Sequence, residues 1–146
     1  MKKLPPIAKV YEAYSAIADH RVEMHPQFAY VKSSDATKTY TVKFQGNEYS
    51  SNDHATVWQH YGGYPILAVL MLQNKLPLDQ TLLPFFEHIN WNKWNAQYHH
   101  QYDEVLKIFF ADKKEHATQI ESCMRSCLNA YDALDITIKG NRAKFI

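Results

Sequence analysis

The chain has 146 residues, a length typical of one domain, and can bury a core large enough to fold without disulfides or a structural metal. Its 16 Lys and Arg residues nearly balance 15 Asp and Glu residues; the formal charge of +1 argues against nucleic acid as a partner. The longest apolar run, 64–72, is far shorter than the roughly 20 residues of a membrane-spanning helix, so we expect no membrane association.

The cysteine pattern and the start of the chain favour a cytoplasmic location. Cys123 and Cys127 lie one turn apart on a predicted helix, where a disulfide would distort the backbone. With no other cysteine present, we expect no internal disulfide. The basic start lacks the apolar stretch of a secretion signal, because Lys9, Glu12 and Asp19 interrupt it.

The first third of the chain changes from helical to strand periodicity. Pro5 and Pro6 suit the first turn of a helix, and apolar residues then recur every three or four positions until about His20. This spacing predicts an amphipathic helix. From Gln27 onward apolar and polar residues alternate, and Ser, Asp, Gly and Asn residues supply turns between the alternating stretches. We therefore predict a three-stranded antiparallel β-meander over about residues 27–51.

The middle of the chain predicts a short helix followed by a core helix. Capping residues at 51–53 introduce a helix over 54–61, and Gly62-Gly63 ends it. The next stretch, 66–73, is apolar on all sides. A helix without a polar face must be buried on every side, so we expect this helix at the centre of the core.

The last third predicts a helix pair and a ribbon. Apolar spacings of three and four over 91–109 predict one long helix, and 117–134 carries a second. The connector 111–114 is so short that the two helices should pack antiparallel. Alternating residues over 136–145 predict a small C-terminal hairpin or edge ribbon. The expected architecture is a single α+β domain, residues 1–146, in which several helices cover a small antiparallel sheet.

Eight histidines make a metal site the first chemical hypothesis. No two of them are spaced four apart, and no His-Glu-x-x-His motif is present. On the predicted long helix His99 lies one turn from Asp103, at the margin of the apolar stripe, so the pair could offer one nitrogen and one oxygen ligand. Together with His54 and His60, these residues define one functional alternative, a small metal-dependent enzyme of the hydrolase type.

The segment Gly62-Gly63-Tyr64-Pro65 has two interpretations. Glycines before a buried helix can free backbone amides to bind an anion such as phosphate. The same glycines also suit a tight turn between two helices, which is the more common use. In either case Tyr64 and His60 could line a pocket.

The leading hypothesis is a non-catalytic binding or interaction module. The sequence has no Gly-x-Ser-x-Gly elbow and no glycine-rich phosphate loop. It is rich in aromatic residues, with ten Tyr, seven Phe and three Trp. Those spaced along 91–102 favour a core position, while surplus Tyr and Trp are typical of interfaces. We therefore expect a homodimer with a further protein or small-molecule partner, and we assign neither a cofactor nor a bound metal.

Overall fold

One mixed sheet forms the framework of the computed structural model, which describes residues 2–141. Over this range the sheet has five strands in the order β1-β2-β3-β4-β5. Their bounds are β1 Val22–Met24, β2 Phe28–Lys32, β3 Thr39–Gln45, β4 Glu48–Ser51 and β5 Thr137–Gly140. The first four strands pair antiparallel, and β5 pairs parallel to β4. The predicted α+β class and the meander over 27–51 are therefore confirmed, with one further strand at each edge.

Helices pack on one face of this sheet. The α-helices are α1 Ala8–Ala18, α2 Tyr64–Leu72, α3 Trp91–Gln97, α4 Tyr102–Phe110 and α5 Ala117–Ala133. A π-helical segment, Ala55–Gln59, follows β4, and 3₁₀ helices occupy Gln80–Phe86 and Lys114–His116. In the described range no helix has both the length and the apolar character needed to cross a membrane.

The periodicity of the strands decides which sheet face meets the helices. Ala29, Val31 and Val42 are fully buried, whereas their neighbours along the strands are partly or fully exposed. Helix α2 covers the inner face, and every residue from Pro65 to Met71 is buried. This confirms the predicted central core helix, in which each buried Leu or Ile contributes roughly 1.5–3 kcal/mol.

Aromatic side chains fill much of the core between α1 and the later helices. Trp91 stacks on Phe109 with ring centroids 5.8 Å apart, and Phe109 contacts Phe86 at 5.1 Å and Tyr11 at 5.3 Å. All four side chains are buried, while Trp94 is half-buried beside Trp91. The predicted core position of the aromatic stripe is therefore confirmed for Trp91, whereas Trp94, Tyr98 and Tyr102 are half-buried.

The expected single helix over 91–109 is wrong, because the chain breaks between α3 and α4. His99 and His100 have φ angles of 51° and 62°, in the left-handed region. The amide of His100 donates to the Asn95 carbonyl at 2.8 Å, as is common where a helix ends in a left-handed residue. Asp103 then lies in the first turn of α4, where the helix dipole favours an acidic residue. His99 and Asp103 therefore do not share a helix face.

The C-terminal strand belongs to the main sheet. Strand β5 pairs parallel to β4, with Ile138 beside Tyr49. The helices between β4 and β5 provide the long crossover that a parallel pair requires. Ala143 and Phe145, the expected second arm of the hairpin, lie outside the described residues. The helix pair is also shorter than predicted, since α4 has only nine residues.

Candidate functional site

A polar cleft of about 660 Å³ opens where α1, β3, the π-helical segment, α3 and the start of α4 meet. Four tyrosines line it, which are Tyr40, Tyr61, Tyr64 and Tyr102. We refer to it as the tyrosine cleft. Its volume lies within the range of about 300–1,000 Å³ that is usual for small-molecule sites.

An ion pair on α1 lies in the tyrosine cleft. Lys9 Nζ is 3.2 Å from Glu12 Oε2, and the two side chains are only 11% and 4% exposed. Lys9 Nζ also lies 5.2 Å from the centre of the Tyr102 ring, a cation–π contact. Burial by itself lowers the pKa of Lys9, but the Glu12 carboxylate together with Tyr102 and Tyr61 outweighs this effect, and the pKa is raised overall. The ammonium group is therefore charged at neutral pH.

Asn95 of α3 extends this ion pair into a polar row. Its Nδ2 donates to Glu12 Oε1 at 3.2 Å, and Asn95 is 6% exposed. If the Asn95 amide were turned the other way, its Oδ1 would face Glu12 Oε1, and both atoms are hydrogen-bond acceptors. The hydrogen bond therefore fixes which side of the amide carries Oδ1. Lys9, Glu12 and Asn95 form what we term the polar row.

Some buried polar atoms of the cleft lack an internal hydrogen bond. Within residues 2–141 no hydrogen-bond partner reaches Asn95 Oδ1 or the Tyr64 hydroxyl, whereas Glu12 Oε2 is paired with the Lys9 ammonium group at 3.2 Å. A buried polar atom without a partner costs about 1–3 kcal/mol, and ordered water or a ligand usually satisfies such atoms. The cleft thus presents hydrogen-bonding capacity that the described part of the protein does not itself use.

The tyrosine hydroxyl groups remain protonated in this environment. Burial raises the pKa of Tyr40 to about 12, and it also raises the pKa of Tyr61 and, most strongly, of Tyr64. Each phenol can therefore both donate and accept a hydrogen bond at neutral pH. Their rings add apolar surface to an otherwise polar cleft.

Asp53 also borders the cleft, but its carboxylate organises the backbone. Oδ2 accepts from the Thr56 amide at 3.1 Å, and Oδ1 accepts from the Thr56 hydroxyl at 2.8 Å and from Ser51. These bonds satisfy the first turn of the π-helical segment, as a capping residue does. A π-helical turn is rare and often occurs at functional sites.

The structure brings together only part of the predicted site. His54 and Tyr64 line the tyrosine cleft, and His54 is exposed at its mouth. Among the described residues that line the cleft, neither His60 nor His99 is found, and Asp103 is missing as well. His60 instead borders a separate surface depression near the start of the chain. The predicted site residues do not meet in one place because the chain breaks before α4 and turns at the end of the π-helical segment.

The two glycines do not present open amides. The Gly62 amide donates to the Tyr131 hydroxyl at 3.2 Å, and the Gly63 amide donates to the Thr56 hydroxyl at 3.1 Å. Both donors are thus already used, so the alternative interpretation as an anion site finds no free amide here. Glycine is required here for space, because a Cβ on Gly62 would lie 2.7 Å from the Tyr131 oxygen and one on Gly63 would overlap the Asp53 carboxylate.

Substituting Gly62→Ala should lower the free energy of unfolding by about 1–3 kcal/mol, the usual cost of overpacking. The cost should be clearly smaller in a Tyr131→Phe background, where the oxygen that meets the new methyl group is gone. Chemical denaturation of the four proteins of this double-mutant cycle measures the coupling. Equal costs in the two backgrounds would show that the close approach of Tyr131 is not the reason for the glycine.

The comparisons with known proteins identify a family but no characterised relative. Residues 2–137 match the family described as Uncharacterised conserved protein UCP014422, and the chain therefore belongs to this family. No curated protein and no solved structure matches the chain. The family description names no ligand, so the argument for function depends on the cleft.

Sequence reasoning missed the polar row. Lys9 and Glu12 are three residues apart on α1, a spacing typical of solvent-exposed ion pairs, and Asn95 is distant in the sequence. The only local signal was a pair of opposite charges within the first helix. Tyr64, which the sequence suggested as a pocket residue, lines a cleft whose other members include residues of five separate elements.

Proposed function

We propose that this protein is a small-molecule binding module and that the tyrosine cleft is its binding site. The observation that carries the proposal is Asn95 Oδ1, a buried acceptor of the polar row to which no group within residues 2–141 donates a hydrogen bond. Proteins rarely leave such atoms unsatisfied in the core. A ligand with N–H or O–H groups would satisfy them, and the tyrosine rings would cover its apolar surface.

The alternative function, a metal-dependent hydrolase, finds less support. That mechanism needs His54 or His60 close to His99 and Asp103, but His54 and His60 line two different depressions, and neither depression is lined by His99 or Asp103. Across residues 2–141 no group of three or more His, Cys, Asp or Glu side chains has the arrangement of a metal site. Binding without metal chemistry therefore remains the better proposal.

We also propose that the protein forms a homodimer and works in the cytoplasm. Large apolar side chains on the surface include Leu4, Met24, Trp58, Leu72 and Ile108, and Trp58 is 55% exposed. Apolar surface of this kind is a common component of subunit interfaces. Multi-angle light scattering over a range of protein concentrations tests the assembly, and a strictly monomeric protein would contradict this part of the proposal.

The binding proposal is tested with ¹⁵N-labelled protein and a panel of nucleosides, amino acids and monosaccharides. We expect at least one compound class to shift the amide signals of Tyr40, Tyr64 and the Asn95 side chain. An Asn95→Leu variant, which keeps the volume but removes both polar atoms, should bind that class at least about tenfold more weakly.

The matched control is Asn129→Leu, since Asn129 is exposed on α5 and is not among the residues that line the cleft. This variant should bind as the native protein does. The proposal would be overturned if no class shifted signals around the cleft, or if the shifts mapped elsewhere.

A further inference from the structure

The hydrogen-bonding atoms of the tyrosine cleft lie beneath its surface. Asn95 Oδ1 has almost no accessible surface, and no group within residues 2–141 donates a hydrogen bond to it. The Tyr64 hydroxyl is covered to the same extent. A ligand can therefore reach these two atoms only if a wall of the cleft moves outward. The way in which each wall is held thus decides whether the cleft can admit a ligand.

One wall of the cleft, formed by Gln59 and Tyr61, has little support of its own. It follows directly from the π-helical segment, a rare conformation that often occurs at functional sites. Between the two residues the chain passes through His60, whose φ of 63° lies in the left-handed region. Gln59 and His60 are exposed, and a segment with few buried contacts opens more easily than the core does. We refer to residues 59–61 as the outer wall.

Lys3 holds the outer wall from the surface of the protein. Its backbone pairs with Tyr61 in a parallel β-bridge, and its ammonium group donates to the Gln59 carbonyl at 3.0 Å. The same ammonium group lies 5.7 Å from the centre of the Tyr61 ring, a cation–π contact. One exposed lysine thus contacts both residues through which the outer wall lines the cleft.

Lys2 attaches the same stretch of chain to the end of α5. Its ammonium group donates to the Leu134 carbonyl at 2.5 Å and lies 5.3 Å from the centre of the Tyr131 ring. The Tyr131 hydroxyl in turn accepts a hydrogen bond from the amide of Gly62, the residue that follows the outer wall. Lys2 and Lys3 therefore join the outer wall to α5, and we name these two residues the N-terminal strap.

We propose that the N-terminal strap holds the outer wall closed over the polar row and that release of the strap opens the tyrosine cleft. This inference rests on the proposed binding function and adds a means of controlling it. Both ammonium groups act on backbone carbonyls, so removing their charge should release the outer wall. A protein that is mostly closed binds with an apparent affinity reduced by the fraction that is open, so a weaker strap should favour binding.

Amide hydrogen exchange tests the strap without a ligand. The test variant is Lys2→Met/Lys3→Met, in which both side chains keep their length but lose the ammonium group. We expect the Gly62 and Gly63 amides, which are hydrogen-bonded and buried in the native protein, to exchange at least about tenfold faster. The amides of α2 should keep their native rates. Lys32→Met is the control, since Lys32 is exposed on β2 and is not among the residues that line the cleft, and it should leave every rate unchanged.

Affinity for the compound class that shifts the signals of the cleft provides the second measurement. The double variant should bind that class at least about threefold more tightly than the native protein. Unchanged exchange at Gly62 and Gly63 would overturn the inference, and so would an equal acceleration throughout α2, because it would indicate general destabilisation. Faster local exchange with unchanged or weaker binding would also overturn it, since the strap would then shape the outer wall without restraining it. If no compound bound, faster local exchange would still support the strap, and only the proposed binding function would fail.

Discussion

Replacing Glu12 by Gln should lower the free energy of unfolding by about 3–5 kcal/mol, because it removes one partner of a buried ion pair and leaves a buried charge uncompensated. The Lys9 side chain is almost completely buried, and its ammonium group lies 3.2 Å from the Glu12 carboxylate. The substitution preserves shape and retains a hydrogen-bonding group. Urea denaturation of the native and variant proteins at pH 7 measures the loss.

The pH dependence separates a charge effect from a packing effect. In the native protein the pKa of Lys9 lies above its ordinary value of 10.5. The stability that folding gains from this raised pKa is present in full at pH values below the ordinary pKa of lysine. It is lost as the pH rises through the higher pKa of the folded state. In Glu12→Gln, burial acts without the carboxylate and lowers the pKa of Lys9, so the variant gains stability as the pH rises. The difference in the free energy of unfolding between the native protein and Glu12→Gln should therefore shrink between pH 7 and about pH 9.5.

An exposed ion pair with the same spacing supplies the control. Glu104 and Lys107 on α4 are 3.1 Å apart and are accessible to solvent. Glu104→Gln should change the free energy of unfolding by less than about 0.5 kcal/mol, as exposed pairs usually do. A similar loss at both positions would contradict the idea that burial makes the Lys9–Glu12 pair important. A deficit of Glu12→Gln that did not change with pH would contradict the role of the charge.

Replacing Trp91 by Ala should also cost about 3–5 kcal/mol, the range for removing a large aromatic side chain from a packed core. Trp91 is fully buried, contacts Trp94 and Phe109, and its indole N–H donates to the Ser15 hydroxyl at 2.7 Å. The cavity would open where α3 packs on α1. Thermal and chemical denaturation of the variant measure the loss.

Trp58 is the matched control for this prediction. It is the same residue type but lies 55% exposed on the π-helical segment, so Trp58→Ala should cost much less than Trp91→Ala. Trp91→Phe separates the loss of packing from the loss of the hydrogen bond, since it keeps an aromatic ring but leaves the Ser15 hydroxyl without the indole donor. Comparable losses for Trp58→Ala and Trp91→Ala would show that the core is not organised around Trp91.

Local patterns in the sequence were sufficient to predict the three central strands of the sheet and the core helix. The alternation over 27–51 identified the meander, and the uniformly apolar stretch 66–73 identified α2. The break before α4 could not be predicted in this way, because the apolar spacing continues across it. His99 and His100 adopt left-handed conformations that their residue type does not require.

The cleft was less predictable than the fold because tertiary packing creates it. Lys9 and Glu12 have the spacing of a surface pair, and they become buried only when α3 and the π-helical segment pack beside α1. The glycine pair failed as a guide for a related reason. Gly62 and Gly63 allow side chains to approach the backbone closely, a use that neither of the two interpretations from sequence, the tight turn and the anion site, had named.

The parallel pairing of β5 with β4 has a consequence for synthesis on the ribosome. The meander is translated before β5, which begins only at Thr137, after helices α1 to α5 have been made. Until then the outer side of β4 has no strand to receive its backbone hydrogen bonds, and an open strand of this kind promotes association between nascent chains. Completion of the described sheet therefore depends on residues translated long after the meander, and loss of this strand would affect solubility before it affected the core.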